Sequence, residues 1–96
     1  MSPRIEQLRE AVEVMHKVKA QHEKSVPVVE MFGGKMVWEG VVESFAIAGH
    51  PKAKRCYAWS FLEGNEPRYV TVLEPSPAVV SPQTAVRTAI ASKAQR

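Results

Sequence analysis

The sequence predicts an α+β fold: an N-terminal helix, a four-stranded antiparallel meander and a C-terminal helix, with both helices on one sheet face. Three observations support it. Apolar residues recur at helical spacing near both ends of the chain, four segments between them are rich in β-branched and aromatic residues, and glycine-containing turns separate those segments. Strands joined by short turns pair with their chain neighbours, which gives the meander.

The length and composition predict one folded domain over residues 1–96. Hydrophobic residues make up 45% of the chain, which argues against intrinsic disorder. A core this small leaves apolar surface that a second copy can cover, so we expect a homodimer. The first twenty residues are charged throughout, and no apolar run is long enough for a bilayer, which predicts a cytoplasmic protein without a membrane partner.

The first helix is expected to begin after Ser2, with Pro3 in the first helical position. Its stripe of apolar side chains consists of Ile5, Leu8, Val12, Met15 and Val18. The helix is predicted to fray near Lys24, and Pro27 lies beyond its end.

A hairpin follows, with a strand at residues 26–32 and a Gly33-Gly34 loop of the kind that permits positive φ. This loop predicts three facing pairs, namely Phe32 with Lys35, Met31 with Met36, and Val29 with Trp38. The second strand runs to Ile47, but its alternation of apolar residues changes phase at Gly40. A β-bulge at Gly40 would restore the phase and bring Glu43 onto the face of Trp38.

Three further elements complete the fold. Gly49-His50-Pro51 marks a turn, in which His50 is expected either to shape the turn or to lie in solvent. A third strand follows at residues 55–62. A loop at residues 64–66 leads to a fourth strand at 69–73. Ser81 and Pro82 give a cap-then-proline pattern that predicts a helix to about Lys93.

The candidate ligand site combines Trp38, Glu43, Tyr57 and Trp59. If Phe45 faced Tyr57, Glu43 would face Trp59, and an acid among aromatic rings suits a cationic or hydrogen-bonding organic ligand. In the alternative, the ladder has no bulge and Glu43 points to water, while the aromatic stripe of the third strand belongs to the core.

The basic cluster Lys52, Lys54 and Arg55 precedes these aromatic residues and offers a second function, nucleic-acid binding. A solvated turn before a core strand explains the same residues, and a net charge of +3 is weak support for a nucleic-acid partner.

Catalytic and metal-binding motifs are missing from the sequence. Cys56 alternates with Ala58 and Ser60, where a small packing residue is expected, although His50 lies close enough along the chain for a Cys/His pair to be considered. The histidines show no ligand spacing, and no phosphate-binding loop precedes a helix. We therefore predict no catalytic residue, no metal and no cofactor.

The blocks "VWEGVVESFAI", "GHPKAKRCYAW" and "SPQTAVRTAIASKA" resemble small bacterial proteins of unknown function carried by mobile gene cassettes, including those of integrons. The resemblance implies a compact cytoplasmic α+β protein, often oligomeric and sometimes with a small-molecule pocket, but it transfers no catalytic residue. The sequence thus favours a non-enzymatic homodimer that binds a small ligand or a protein partner through its aromatic sheet face.

Overall fold

The computed structural model describes residues 3–74 and 81–94, with side chains up to residue 90. The elements follow in the order α1 (Pro3–His16), β1 (Lys19–Phe32), β2 (Lys35–Ala48), β3 (Arg55–Glu63), β4 (Glu66–Glu74) and α2 (Pro82–Ala94). The strands form one antiparallel sheet in the order β1-β2-β3-β4. This confirms the α+β class and the order of its elements. The predicted cap at Ser2 lies outside the described residues.

The first helix ends earlier than predicted. Lys17 adopts a left-handed backbone with φ of 55°, and the N–H of Val18 donates to the carbonyl of Glu13 at 3.3 Å. This is a Schellman-type end, in which Val18 also packs into the same core as Val12. A lysine occupies the position that glycine usually fills, so no residue type marks this helix end. Residues 19–24 form strand instead of helix. Met15, the stripe residue in the last turn, is exposed.

The Gly33-Gly34 turn is confirmed, since both glycines have positive φ and Phe32 faces Lys35 while Met31 faces Met36. The next pair differs from the prediction. Val37 is an extra residue in β2, so Trp38 faces Glu30 and not Val29. The bulge therefore lies three residues before Gly40 and moves Glu30 onto the face of Trp38.

At Gly40 itself the ladder is continuous, so the predicted bulge there was wrong. A Cβ at this position would lie 2.8 Å from Cη2 of Trp38, because the indole ring lies across the glycine. Gly40 thus leaves room for the Trp38 ring. It does not change the face to which the following residues of β2 point.

The two helices lie on opposite faces of the sheet, whereas a single shared face was predicted. On the face we call the α1 face, Leu8 and Val12 pack against Phe45, Cys56 and Ala58. On the other, the α2 face, Ala85 and Val86 pack with Val28, Val42, Tyr57 and Trp59. Successive residues of β2 and β3 are buried on alternate faces of the sheet, so a separate helix must pack on each face.

The sheet divides at one end into two arms. Strands β2 and β3 pair only from Glu43–Ala58 to Ala46–Arg55, whereas β1–β2 and β3–β4 pair along their lengths. We call residues 26–42 the first arm and residues 59–70 the second arm. The rest of the sheet, which α1 covers, is the base.

The second helix begins with a reciprocal cap. The N–H of Thr84 donates to Oγ of Ser81 at 3.2 Å, and the N–H of Ser81 donates to Oγ1 of Thr84 at 2.9 Å. This confirms the cap that Ser81-Pro82 predicted, with threonine in the place that glutamate or glutamine often takes. Gln83 and Arg87 then both bind Glu30, which ties the helix to the first arm.

We expect Gly40→Ala to lower the free energy of unfolding by about 1–3 kcal/mol, because the new methyl group overlaps the Trp38 ring. Urea denaturation measures the loss. Glu39→Ala, at the exposed neighbouring position, is the control and should change stability by less than about 0.5 kcal/mol. In a Trp38→Leu background the cost of Gly40→Ala should largely disappear. A cost that persists in that background would show that the ring contact is not its cause.

Candidate functional site

The four residues of the predicted ligand site do not share a face. Trp38, Tyr57 and Trp59 belong to the α2 face, whereas Glu43 lies on the α1 face beside Phe45. The register explains the difference, because Glu43 faces Ala58 and Phe45 faces Cys56, one residue away from the predicted pairs. A slip of one residue moves every side chain of a strand to the other face.

The aromatic residues form part of the core under α2. Tyr57 and Trp59 are 3% and 4% exposed, and the rings of Trp38 and Trp59 meet edge to face with centroids 5.7 Å apart. The Tyr57 hydroxyl donates to Glu74, and burial together with this carboxylate raises the pKa of Tyr57 to about 12. These contacts favour packing over an open ligand face.

Glu43 is buried, which decides between the two alternatives that the sequence left open, but its neighbours are polar. Its side chain is 1% exposed, and Arg4 of α1 donates from Nη1 to Oε2 at 2.7 Å. The other oxygen, Oε1, accepts from Nε2 of His22 at 2.8 Å and from the hydroxyl of Ser25. The sequence indicated that Glu43, if buried, needs a partner. It did not identify Arg4, His22 or Ser25, because all three lie far from Glu43 along the chain.

A second bulge brings two of these partners together. Glu23 is an extra residue in β1, between the pairs His22–Phe45 and Lys24–Ser44. His22 and Ser25 would lie on opposite faces of a regular strand, but the bulge turns both toward Glu43. The imidazole ring of His22 also meets Phe45 edge on, with centroids 5.5 Å apart.

Arg4 reaches Glu43 at the point where the arms separate. Its Nη2 donates to the carbonyl of Val41 at 3.2 Å, on a stretch of β2 without a β3 partner. The guanidinium thus occupies a hydrogen-bonding position that a neighbouring strand would otherwise fill. We call Arg4, His22, Ser25 and Glu43 the Glu43 cluster.

The electrostatics of the Glu43 cluster favour the ionised acid. Burial alone would raise the pKa of Glu43, but hydrogen bonds from Ser25, Arg4 and His22 outweigh it and hold that pKa below its usual value. Both Ser25 and His22 donate to the carboxylate, so the hydroxyl is not directed at the imidazole as a nucleophile would be at its base. The arrangement therefore suits a structural clamp better than covalent catalysis.

Arg55, predicted as part of the basic cluster, is already paired. It donates to Glu23 at 2.8 Å and to Glu74 at 3.3 Å, and these carboxylates raise its pKa. Ser44 also donates to Glu23 at 3.1 Å. Lys52 and Lys54 remain exposed and have no ion pair with a described residue. The three residues therefore do not form one basic site, because carboxylates already neutralise Arg55.

His50 shapes the turn, which is one of its two expected roles. Its Nδ1 accepts the backbone N–H groups of Lys52 at 3.0 Å and Ala53 at 2.8 Å. Cys56 lies in the core with no exposed surface, and burial raises the pKa of its thiol to about 12. This combination describes an inert packing residue and not a nucleophile.

No protein-family model matches the chain, and comparisons with curated proteins and with solved structures give no match either. The resemblance to gene-cassette proteins thus stays a prediction. Within residues 3–74 and 81–94, neither helix is long and apolar enough to cross a membrane. The same residues contain no group of three or more His, Cys, Asp or Glu side chains that could hold a metal ion.

We expect Glu43→Gln to lower the free energy of unfolding by about 3 kcal/mol at pH 7, because it leaves the buried donors around it without their charged acceptor. The folded-state pKa of Glu43 is lowered, so its contribution is present above pH 4.5 and is lost as pH falls through the folded pKa. The stability gap between wild type and variant should therefore shrink in acid.

Urea midpoints measured from pH 7 to pH 2.5 test both parts of this prediction. Glu39→Gln is the matched control, since Glu39 lies on the same strand but is exposed, and it should cost less than about 0.5 kcal/mol. A gap that stays constant down to pH 2.5 would contradict the assignment of the lowered pKa to Glu43.

Cys56 should react with a thiol reagent such as 5,5′-dithiobis-(2-nitrobenzoic acid) only after unfolding. Its burial denies access, and its raised pKa leaves almost no thiolate at pH 8. Absorbance at 412 nm, measured with and without denaturant, reports the reaction. Rapid modification of the folded protein would show an accessible thiol and reopen the nucleophile hypothesis.

Proposed function

We infer that this chain is a non-enzymatic interaction protein that works as a homodimer, and that the arms of the sheet form its interface. The single observation that carries the proposal is the exposure of large apolar side chains along both arms. They are Val29, Met31, Phe32, Met36, Val37, Val41, Phe61 and Leu62, each at least 40% exposed.

Several of these side chains lie together on one surface. Val29, Met31, Met36 and Val41 alternate with residues of the α2 face, so all four lie on the α1 face of the first arm. Helix α1 packs over the base and leaves this surface bare. Leu62, 72% exposed, continues it on the second arm.

The amount of exposed apolar surface fits a dimer. Each partner contributes about 800 Å² to a stable interface, and the arms offer eight large apolar side chains that are each at least 40% exposed. The four that share the α1 face of the first arm are costly to leave in water. A second copy presents the same surface in an isologous contact.

The backbone of the arms supports the same site. Among residues 3–74 and 81–94, nothing pairs as a strand with residues 35–42 of β2 or 59–63 of β3 on the sides that face each other. Such edges invite pairing with another chain. A small ligand on the aromatic face has weaker support, because α2 covers Tyr57 and Trp59.

Light scattering coupled to size exclusion should give the mass of a dimer for the wild type at micromolar concentrations. Met36→Glu should raise the dimer dissociation constant at least about tenfold, because it places an unpaired charge in an apolar contact. Met31→Glu should act in the same way from the facing position.

Val14→Glu is the matched control, since Val14 is 78% exposed but lies on α1, away from the arms. It should leave the mass unchanged. A monomeric wild type at 100 µM or more, or a dimer that all three variants leave intact, would refute the proposed interface.

A further inference from the structure

The end of the base opposite the arms carries unpaired positive charge. Lys17 follows α1, Lys19 begins β1, and Lys52 and Lys54 lie between β2 and β3. All four are exposed. We call them the basic end; only the last two were part of the basic cluster predicted from sequence.

The fold brings the two pairs of lysines together. Lys17 and Lys19 flank Val18, Lys52 and Lys54 flank Ala53, and both central residues are buried in the same core. A Cβ on Gly49 would lie 3.9 Å from the Cα of Val18, so the loop that carries the second pair starts beside the first. Side chains that flank a buried residue point away from the core, so all four ammonium groups lie exposed at this end of the sheet.

The acids of this region are mostly occupied elsewhere. Glu13 binds Arg9 and accepts the N–H of Ala20, although its charge also acts on Lys19. Arg55 pairs with Glu23 and Glu74. None of the four lysines forms an ion pair with a residue that the structure describes.

The loop that carries Lys52 and Lys54 is held in place by His50. Its ring nitrogen accepts two successive N–H groups, which fixes the backbone of the loop before any partner arrives. A preformed loop loses less conformational entropy when its lysines bind.

We propose that the basic end binds the phosphate backbone of duplex nucleic acid without reading its sequence. Lysines act as point charges toward phosphates, and four of them on one surface release counterions from the duplex. Binding of single strands would need exposed aromatic rings beside the lysines for stacking. Tyr57 and Trp59 are buried, and the exposed rings of Phe32 and Phe61 lie on the arms. Insertion of α1 into a membrane surface is disfavoured because its apolar side chains Leu8 and Val12 are buried against the sheet.

Fluorescence anisotropy with a labelled 30-base-pair duplex of arbitrary sequence tests the proposal. Four phosphate contacts predict a slope of about −3.6 for log K against log salt, hence a loss of roughly a hundredfold between 50 and 200 mM. The double variant Lys52→Gln/Lys54→Gln should reduce the slope by about 1.8, to about half. Lys24→Gln, an exposed lysine of β1 outside both the basic end and the arms, is the matched control and should leave the slope unchanged.

The test also separates this proposal from the dimer. For Met36→Glu we expect the same slope of log K against log salt for each chain, even if the variant is monomeric. The reason is that the arms lie at the other end of the sheet from the lysines. No binding at 50 mM salt, an equal effect of Lys24→Gln, or binding to anionic phospholipid vesicles without binding to the duplex would each overturn the assignment to nucleic acid.

Discussion

The fold depends on one buried carboxylate. Glu43 joins the start of α1, the bulged part of β1 and the last paired position of β2 and β3, because its partners Arg4, His22 and Ser25 come from separate parts of the chain. A buried ion pair adds little net stability compared with apolar packing, but breaking it is costly. The cluster therefore acts as a constraint on geometry: α1 must lie over the base, which leaves the α1 face of the arms uncovered.

Local chemistry made part of this fold predictable. Gly33-Gly34 requires a tight turn, Ser81-Pro82 requires a helix start, and the alternation around Tyr57 and Trp59 requires a strand, whatever the rest of the chain does. The end of α1 was not predictable in this way, because Lys17 takes a left-handed conformation that tertiary packing of Val18 stabilises. At such positions tertiary packing outweighs the intrinsic backbone preference of the residue.

Which face each strand residue points to could not be predicted from the sequence. The candidate site depended on those faces, so the prediction that its four residues share one face was wrong. A glycine in a strand suggests a bulge, yet the bulges fall at Glu23 and Val37, which carry no such signal, while Gly40 makes room for the ring of Trp38. The sequence left open whether Glu43 is buried; the structure buries it on the face opposite Tyr57 and Trp59, among polar partners. Two bulges and one register decide those faces, and all three depend on contacts between residues far apart in the sequence.

The two proposed surfaces lie at opposite ends of the sheet, because the Gly33-Gly34 turn ends the first arm whereas the segment after β2 carries Lys52 and Lys54. The longest dimension of the protein is 39 Å, and the strands that carry the arms also run to the basic end. Two copies joined through their arms would therefore carry their lysine surfaces outward, away from the interface. Each surface alone has few charges and should bind a polyanion weakly, but linkage of two raises the effective concentration of the second after the first has bound. Dimerisation would thus raise the affinity of a cluster that carries few charges. A monomeric variant would bind nucleic acid more weakly but keep the salt dependence of a single basic end.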